Sequence, residues 1–220
     1  MNKDKFFSSN KVIIGIISIF VLVLPSFSSI MGNCSDSGYI CTGLNGESMK
    51  ADIESGSAYF LSAYSDFMKA LSQMELSGSQ GVNYKELSDI LSSAISNMEV
   101  AESAYSSLVK QAQTTPYNPS VIDRLKSFDY KGFQQKKGLN STIFDIVAGS
   151  LGEGDIANLY MNMGHNAVLV GRKIIMLKSI VDNNMPPELK PIQEVNQLFS
   201  ETILTGQYMS EVFEDILEIK

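Results

Sequence analysis

Residues 84–113 read YKELSDILSSAISNMEVAESAYSSLVKQAQ, and this stretch decides the fold. Leu87, Leu91, Ala94, Met98, Ala101, Tyr105, Leu108 and Ala112 follow one another at alternating steps of four and three. That spacing places all eight on one stripe of an α-helix, with Ser, Glu, Asp and Lys elsewhere. Asn83 and Glu86 supply a capping box at its start: the Asn side chain takes a free N–H and Glu86 reaches back.

The same alternation recurs three times. A helix over about Met49 to Leu76 carries Ile53, Ser57, Phe60, Tyr64, Phe67, Leu71 and Met74. A helix over about Gly154 to Asp182 carries Ile156, Tyr160, Met163, Ala167, Val170, Ile174, Leu177 and Val181. A helix over about Pro187 to Glu218 carries Ile192, Val195, Phe199, Thr202, Gly206, Met209, Phe213 and Ile216. Gly78 and Gly81 break the first pair, and Met185-Pro186-Pro187 breaks the second, with Pro191 leaving the last start uncertain by one turn. Coiled-coil-like seams repeating every 3.5 residues need partner helices. Four of them in one chain predict an all-α fold: an elongated antiparallel four-helix bundle over residues 49–220.

Residues 114–153 are different and read as a long crossover with short helices of its own. Asn118-Pro119 opens one through about Tyr130, where Lys131-Gly132 and Lys136-Lys137-Gly138 interrupt. Ser141 or Thr142 caps another through Ala148, closed by Gly149 and Gly152. The third long helix carries a second apolar set outside its seam, Met161, Val168, Leu169, Ile175 and Met176, and a small stripe of Ala157, Gly164 and Gly171. Glycine in a helix costs about 1 kcal/mol against alanine, so a backbone is expected to approach there. The crossover is the expected neighbour, and a second copy of the chain is the alternative.

At the other end of the chain, Lys3, Lys5 and Lys11 precede an uncharged run from Val12 to Ser35 whose first half is almost all Val, Ile, Leu and Phe. This is the pattern of an export signal. The apolar core Val12–Leu24 is short for a membrane span, which takes about 20 residues. Residues 1–28 are expected to be a signal peptide cut after Ser28, the alternative being an uncleaved anchor helix to about Gly32. Residues 29–48 then form an arm in which Cys34 and Cys41 close a small disulfide loop; C-x6-C lacks redox-motif spacing, and a lipidated Cys34 would follow an atypical Asn33.

Without residues 1–28 the chain keeps 14 basic and 23 acidic side chains, a net charge of −9. That balance argues against nucleic acid and anionic lipid as partners. The one cluster with a metal flavour is Tyr160-Met161-Asn162-Met163-Gly164-His165. Thioether and imidazole suit Cu(I), but the helix splits the cluster: Met163 points along the seam, while Met161 and His165 share another face. Two ligands on one turn are too few, so these read as core methionine and a surface histidine beside Asn158 and Arg172. His165 is the only histidine, and no serine–carboxylate set is signalled around it. Glu-x-x-His pairs, a covalent haem motif, a phosphate loop and a dinucleotide fingerprint are absent from the sequence. Neither a cofactor nor an enzymatic activity is expected.

Tyr59, Tyr64, Tyr105, Tyr160 and Tyr208 lie on or near seams and are expected at their edges with hydroxyls in water; the alternative is an internal ligand pocket. Glu211, Glu214, Asp215 and Glu218 crowd a helix C-terminus, where negative charge is unfavourable, and read as a solvated end with Lys136 and Lys137 as an internal counterpart. Asn140-Ser141-Thr142 fits a glycosylation sequon. Together these features point to an exported periplasmic or extracellular protein. Its expected role is a protein-interaction or structural component of the cell envelope that meets another envelope protein or itself. Any membrane contact runs through the N-terminal segment. A small-ligand sensing four-helix bundle is the alternative.

Overall fold

Asn83 accepts the N–H of Glu86 on its side-chain oxygen at 3.3 Å, and its carbonyl takes the first helical bond from Leu87 at 3.1 Å. The cap therefore forms where the sequence places it. Glu86, however, reaches back to the Asn83 side-chain amide rather than to its backbone. In this computed structural model, residues 46–76, 82–114, 119–139 and 142–217 are described. They form seven helices and no strand: α1 (Gly46–Leu76), α2 (Tyr84–Thr114), α3 (Pro119–Ser127), α4 (Tyr130–Lys137), α5 (Thr142–Glu153), α6 (Ile156–Asp182) and α7 (Leu189–Leu217). The fold is all-α. The export signal, Cys34 and Cys41, Gly78 and Gly81, Asn140-Ser141 and Glu218 lie outside the described residues.

The four long helices run antiparallel to their chain neighbours. Between α1 and α2, Asp52 meets Gln111, Asp66 meets Ser93, and Gln73 meets Glu86. Gly164 and Gly171 of α6 sit against Tyr105 and Met98 of α2, and Asp182 accepts from Ser88 at 2.6 Å. On the far side of α6, Asn166 donates to Thr202 of α7 and Lys173 pairs with Glu194. Phe199 of α7 reaches α1, its ring 5.1 Å from both Phe60 and Tyr64 and 5.7 Å from Phe67.

Every expected seam residue of α6 and α7 is buried, as are those of α2 from Leu87 to Leu108. On α1 the buried arc is turned. Ser57, Tyr64 and Met74 are only half-buried, while Gly56, Ala63 and Ala70 are inside. These three small residues, one heptad apart, let α2 come close: a Cβ on Gly56 would lie 3.3 Å from that of Ala104. Small residues thus close the α1–α2 side and large rings fill the α1–α7 side.

The connections correct several expectations. Gly154 does not open α6. At φ 77° it ends α5, with Gly154 N–H bonded to Leu151 C=O and Asp155 N–H to Ser150 C=O. Asp155 then caps α6 by accepting the Asn158 N–H at 3.0 Å. Gly149 and Gly152 lie inside α5, which runs to Glu153 because it buries Phe144, Val147, Ser150 and Leu151. Lys131-Gly132 likewise opens α4, with Asp129 accepting the Gly132 N–H at 2.9 Å, and α3 stops at Ser127. The fourth long helix begins at Leu189, which leaves Pro191 in its first turn, where no N–H is needed.

The crossover does not pack on the glycine stripe of α6, because α2 already occupies it. It lies on the C-terminal half of α7 instead. Phe144 meets Tyr208 with ring centroids 5.6 Å apart, and Phe133 stacks on Phe144 at 6.0 Å. Arg124 donates to the Ile216 carbonyl at 3.1 Å, and Lys137 lies 3.9 Å from Glu211. The acidic end of α7 therefore meets two cations from the crossover, which offset the unfavourable charge at its C-terminus.

Candidate interaction surface

Helix α6 buries one arc and leaves another bare. Its seam faces the core, Gly164 and Gly171 face α2, and Asn166 and Lys173 face α7. The remaining arc turns outward. There Met161 and Ile175 are each 51% exposed and Met176 67%, with Val168 and Leu169 half-buried. His165 and Arg172 are exposed between them. Apolar groups this open on one helix make a patch of the kind used for docking.

The residues expected to meet a neighbour or a ligand therefore divide. Met161, Val168 and Ile175 belong to the outer face. Gly164 and Gly171 do not; they permit the close α2–α6 packing. Tyr105 and Tyr160 are core residues, which corrects the expectation that their hydroxyls reach water. Burial pushes both phenols well above the ordinary tyrosine range; Ser57 bonds the Tyr105 hydroxyl, and the neighbouring Tyr160 adds to the rise at Tyr105. Both stay neutral at any physiological pH. Tyr208 is also buried, Tyr64 is half-buried and Tyr59 is exposed. Of the metal-flavoured cluster, Met163 is in the core while Met161 and His165 are on the surface. Among the described residues no three of His, Cys, Asp and Glu converge as a metal site would require.

Comparison with protein-family models, curated proteins and solved structures gave no match. Among the described residues no helix is long and apolar enough to cross a membrane.

One polar site was not foreseen. Asp66 is buried between α1 and α2, where it accepts from Lys69 at 2.9 Å, Ser93 at 2.7 Å and Asn97 at 3.1 Å. Asn97 donates to Ser62 as well. Burial alone would raise the Asp66 carboxyl, but the three donors together, with the Lys69 charge, hold it below the usual carboxylate range. Its signal in the sequence is two pairs spaced four apart, Ser62/Asp66 and Ser93/Asn97, on the edges of facing seams. The network orients α1 on α2.

Proposed function

We propose that this chain is an exported cell-envelope protein, without enzymatic activity, that acts as a protein-interaction or structural component. Its framework is an elongated antiparallel four-helix bundle. At 27 residues and 1.5 Å per residue, α6 alone is about 40 Å long. The observation that carries the reading is the outward arc of α6, where Met161, Ile175 and Met176 stand open to solvent on a rigid helix. Covering exposed aliphatic and thioether groups removes apolar surface from water and lowers the free energy. The N-terminal charge and hydropathy pattern supports export, with residues 1–28 as signal peptide and Cys34–Cys41 as a disulfide loop in an oxidising compartment.

The test is a photoactivated crosslinker placed in the full chain at Met161 or Ile175, compared with Gln193, an exposed position on α7. The α6 positions are expected to give discrete intermolecular products and Gln193 none. Equal behaviour at both would withdraw the interaction reading. Mass measurement of the mature protein is expected to place its N-terminus after Ser28; an intact Met1 on a cytosolic protein overturns export.

A further inference from the structure

We propose that the edge between α2 and α6 docks a second copy of this chain, an inference that rests on the interaction reading and names its partner. The hydrogen bond from Ser88 to Asp182 marks the outer lip where the two helices meet. Stepping from it by heptads keeps to the same lip on both helices. On α2 the steps reach Ile95, Glu102 and Val109; on α6 they reach Ile175, Val168 and Met161. Five of these six are apolar, and none is fully buried. The edge is a greasy furrow running the length of the α2–α6 pair.

Charge selects the occupant. Gly171 lies against Met98 in antiparallel helices, so Arg172 and Glu99, each one residue further on, lie within about 3 Å of one level on opposite sides of the furrow. Both are exposed, as is Glu102. Lys69–Asp66, Lys137–Glu211, Lys173–Glu194 and Lys178–Asp182 pair elsewhere, and among the described residues Arg172, Glu99 and Glu102 join none of these pairs. A twofold axis parallel to the helices lays α6 of one copy over α2 of the other at unchanged height. Arg172 then meets the second copy's Glu99, twice by symmetry, and Ile175 meets its Ile95. The furrow is complementary to itself, as an isologous interface requires. A two-helix face about 40 Å long and about 20 Å wide covers about 800 Å² per copy, the size of a standard stable interface.

Sedimentation equilibrium of the purified full chain tests this. The wild type is expected to be a concentration-dependent dimer. Arg172→Glu, or Glu99→Lys with Glu102→Lys, sets like charges across the interface and is expected to weaken the dimer about tenfold or more. The three changes together exchange the signs and are expected to restore it to within about threefold. All three sites are exposed, and an unchanged helical circular-dichroism signal confirms folding. A monomer at every concentration overturns the proposal, as does a dimer indifferent to the reversals or a combined variant no better than its parents. A monomer that still crosslinks through α6 to a different protein leaves the interaction reading standing, whereas loss of every α6 crosslink removes that reading itself.

Discussion

Three helical glycines form a graded ruler of how closely α2 is approached. Replacing a helical glycine by alanine gains about 1 kcal/mol of helix propensity wherever the methyl fits. At Gly171 the new Cβ would lie 3.7 Å from the Met98 Cβ, ordinary contact, so Gly171→Ala is expected to stabilise by about 0.5–1 kcal/mol. At Gly164 it would lie 3.3 Å from the Tyr105 Cβ, next to backbone that cannot swing away. Relief of that squeeze consumes most of the gain, and the substitution should be neutral to within about 0.5 kcal/mol. At Gly56 two neighbours crowd the methyl, the Tyr105 ring at 3.2 Å and the Ala104 Cβ at 3.3 Å, and the ring is locked in the core. Overpacking of this kind costs about 1–3 kcal/mol, so Gly56→Ala should destabilise by about 1 kcal/mol after the propensity gain. Urea unfolding followed by helical circular dichroism reads all three as shifts in midpoint at constant slope. Stability is expected to fall in the order G171A, G164A, G56A. A reversed order, or a G171A variant weaker than wild type, refutes the close α1–α2–α6 packing. Gly171→Leu should destabilise to the same extent at every protein concentration, because α2 of the same chain is what it strikes.

Phe199→Ala removes a fully buried ring wedged among Phe60, Tyr64 and Phe67, and is expected to cost about 3–5 kcal/mol in the same assay. Asp66→Ala removes the acceptor that Ser93 and Asn97 share at the α1–α2 interface; both donors can turn to water, so the change should cost about 1 kcal/mol at pH 7. The folded Asp66 carboxyl titrates below its unfolded value, so its contribution is complete above the usual carboxylate range and fades as pH falls through the folded pKa. Asp66→Asn should therefore flatten the acid limb of a stability–pH curve below about pH 4, and an unchanged limb would show that the network does not hold the charge. Arg124→Ala frees the Ile216 carbonyl, and hydrogen exchange should quicken in the last turn of α7 while the middle of the helix is unaffected.

Much of this architecture is legible in one dimension because helical burial is periodic. The α2, α6 and α7 seams can be read from spacing alone, since an apolar stripe at alternating three and four is what a single buried face requires. Asn83 caps its helix through a local bond that depends only on near neighbours, and Asp155, which the apolar spacing passes over in favour of Gly154, does the same. Local breakers were poorer guides. Gly149 and Gly152 stay helical because α5 sinks Phe144, Val147 and Leu151 into the core, which outweighs about 1 kcal/mol per glycine. Their polar tips predict Tyr105 and Tyr160 at the water's edge, yet both rings are buried, and at Tyr105 the neighbouring Gly56 and Gly164 leave the room.

By itself, the order of residues determines which face of each long helix is apolar and where most of them start and stop, because propensity, capping and amphipathic period act within a few neighbours along the chain. It does not say which face meets which. Seams are chemically alike, and a stripe of glycine is an invitation that α2, the crossover or another copy of the chain could each accept. Tertiary packing made that choice: α2 fills the Gly164–Gly171 stripe, the crossover goes to the aromatic half of α7, and the outward arc of α6 is left uncovered. The physical reason is volume. Only when all the helices are placed together do small residues meet large ones without voids or overlap.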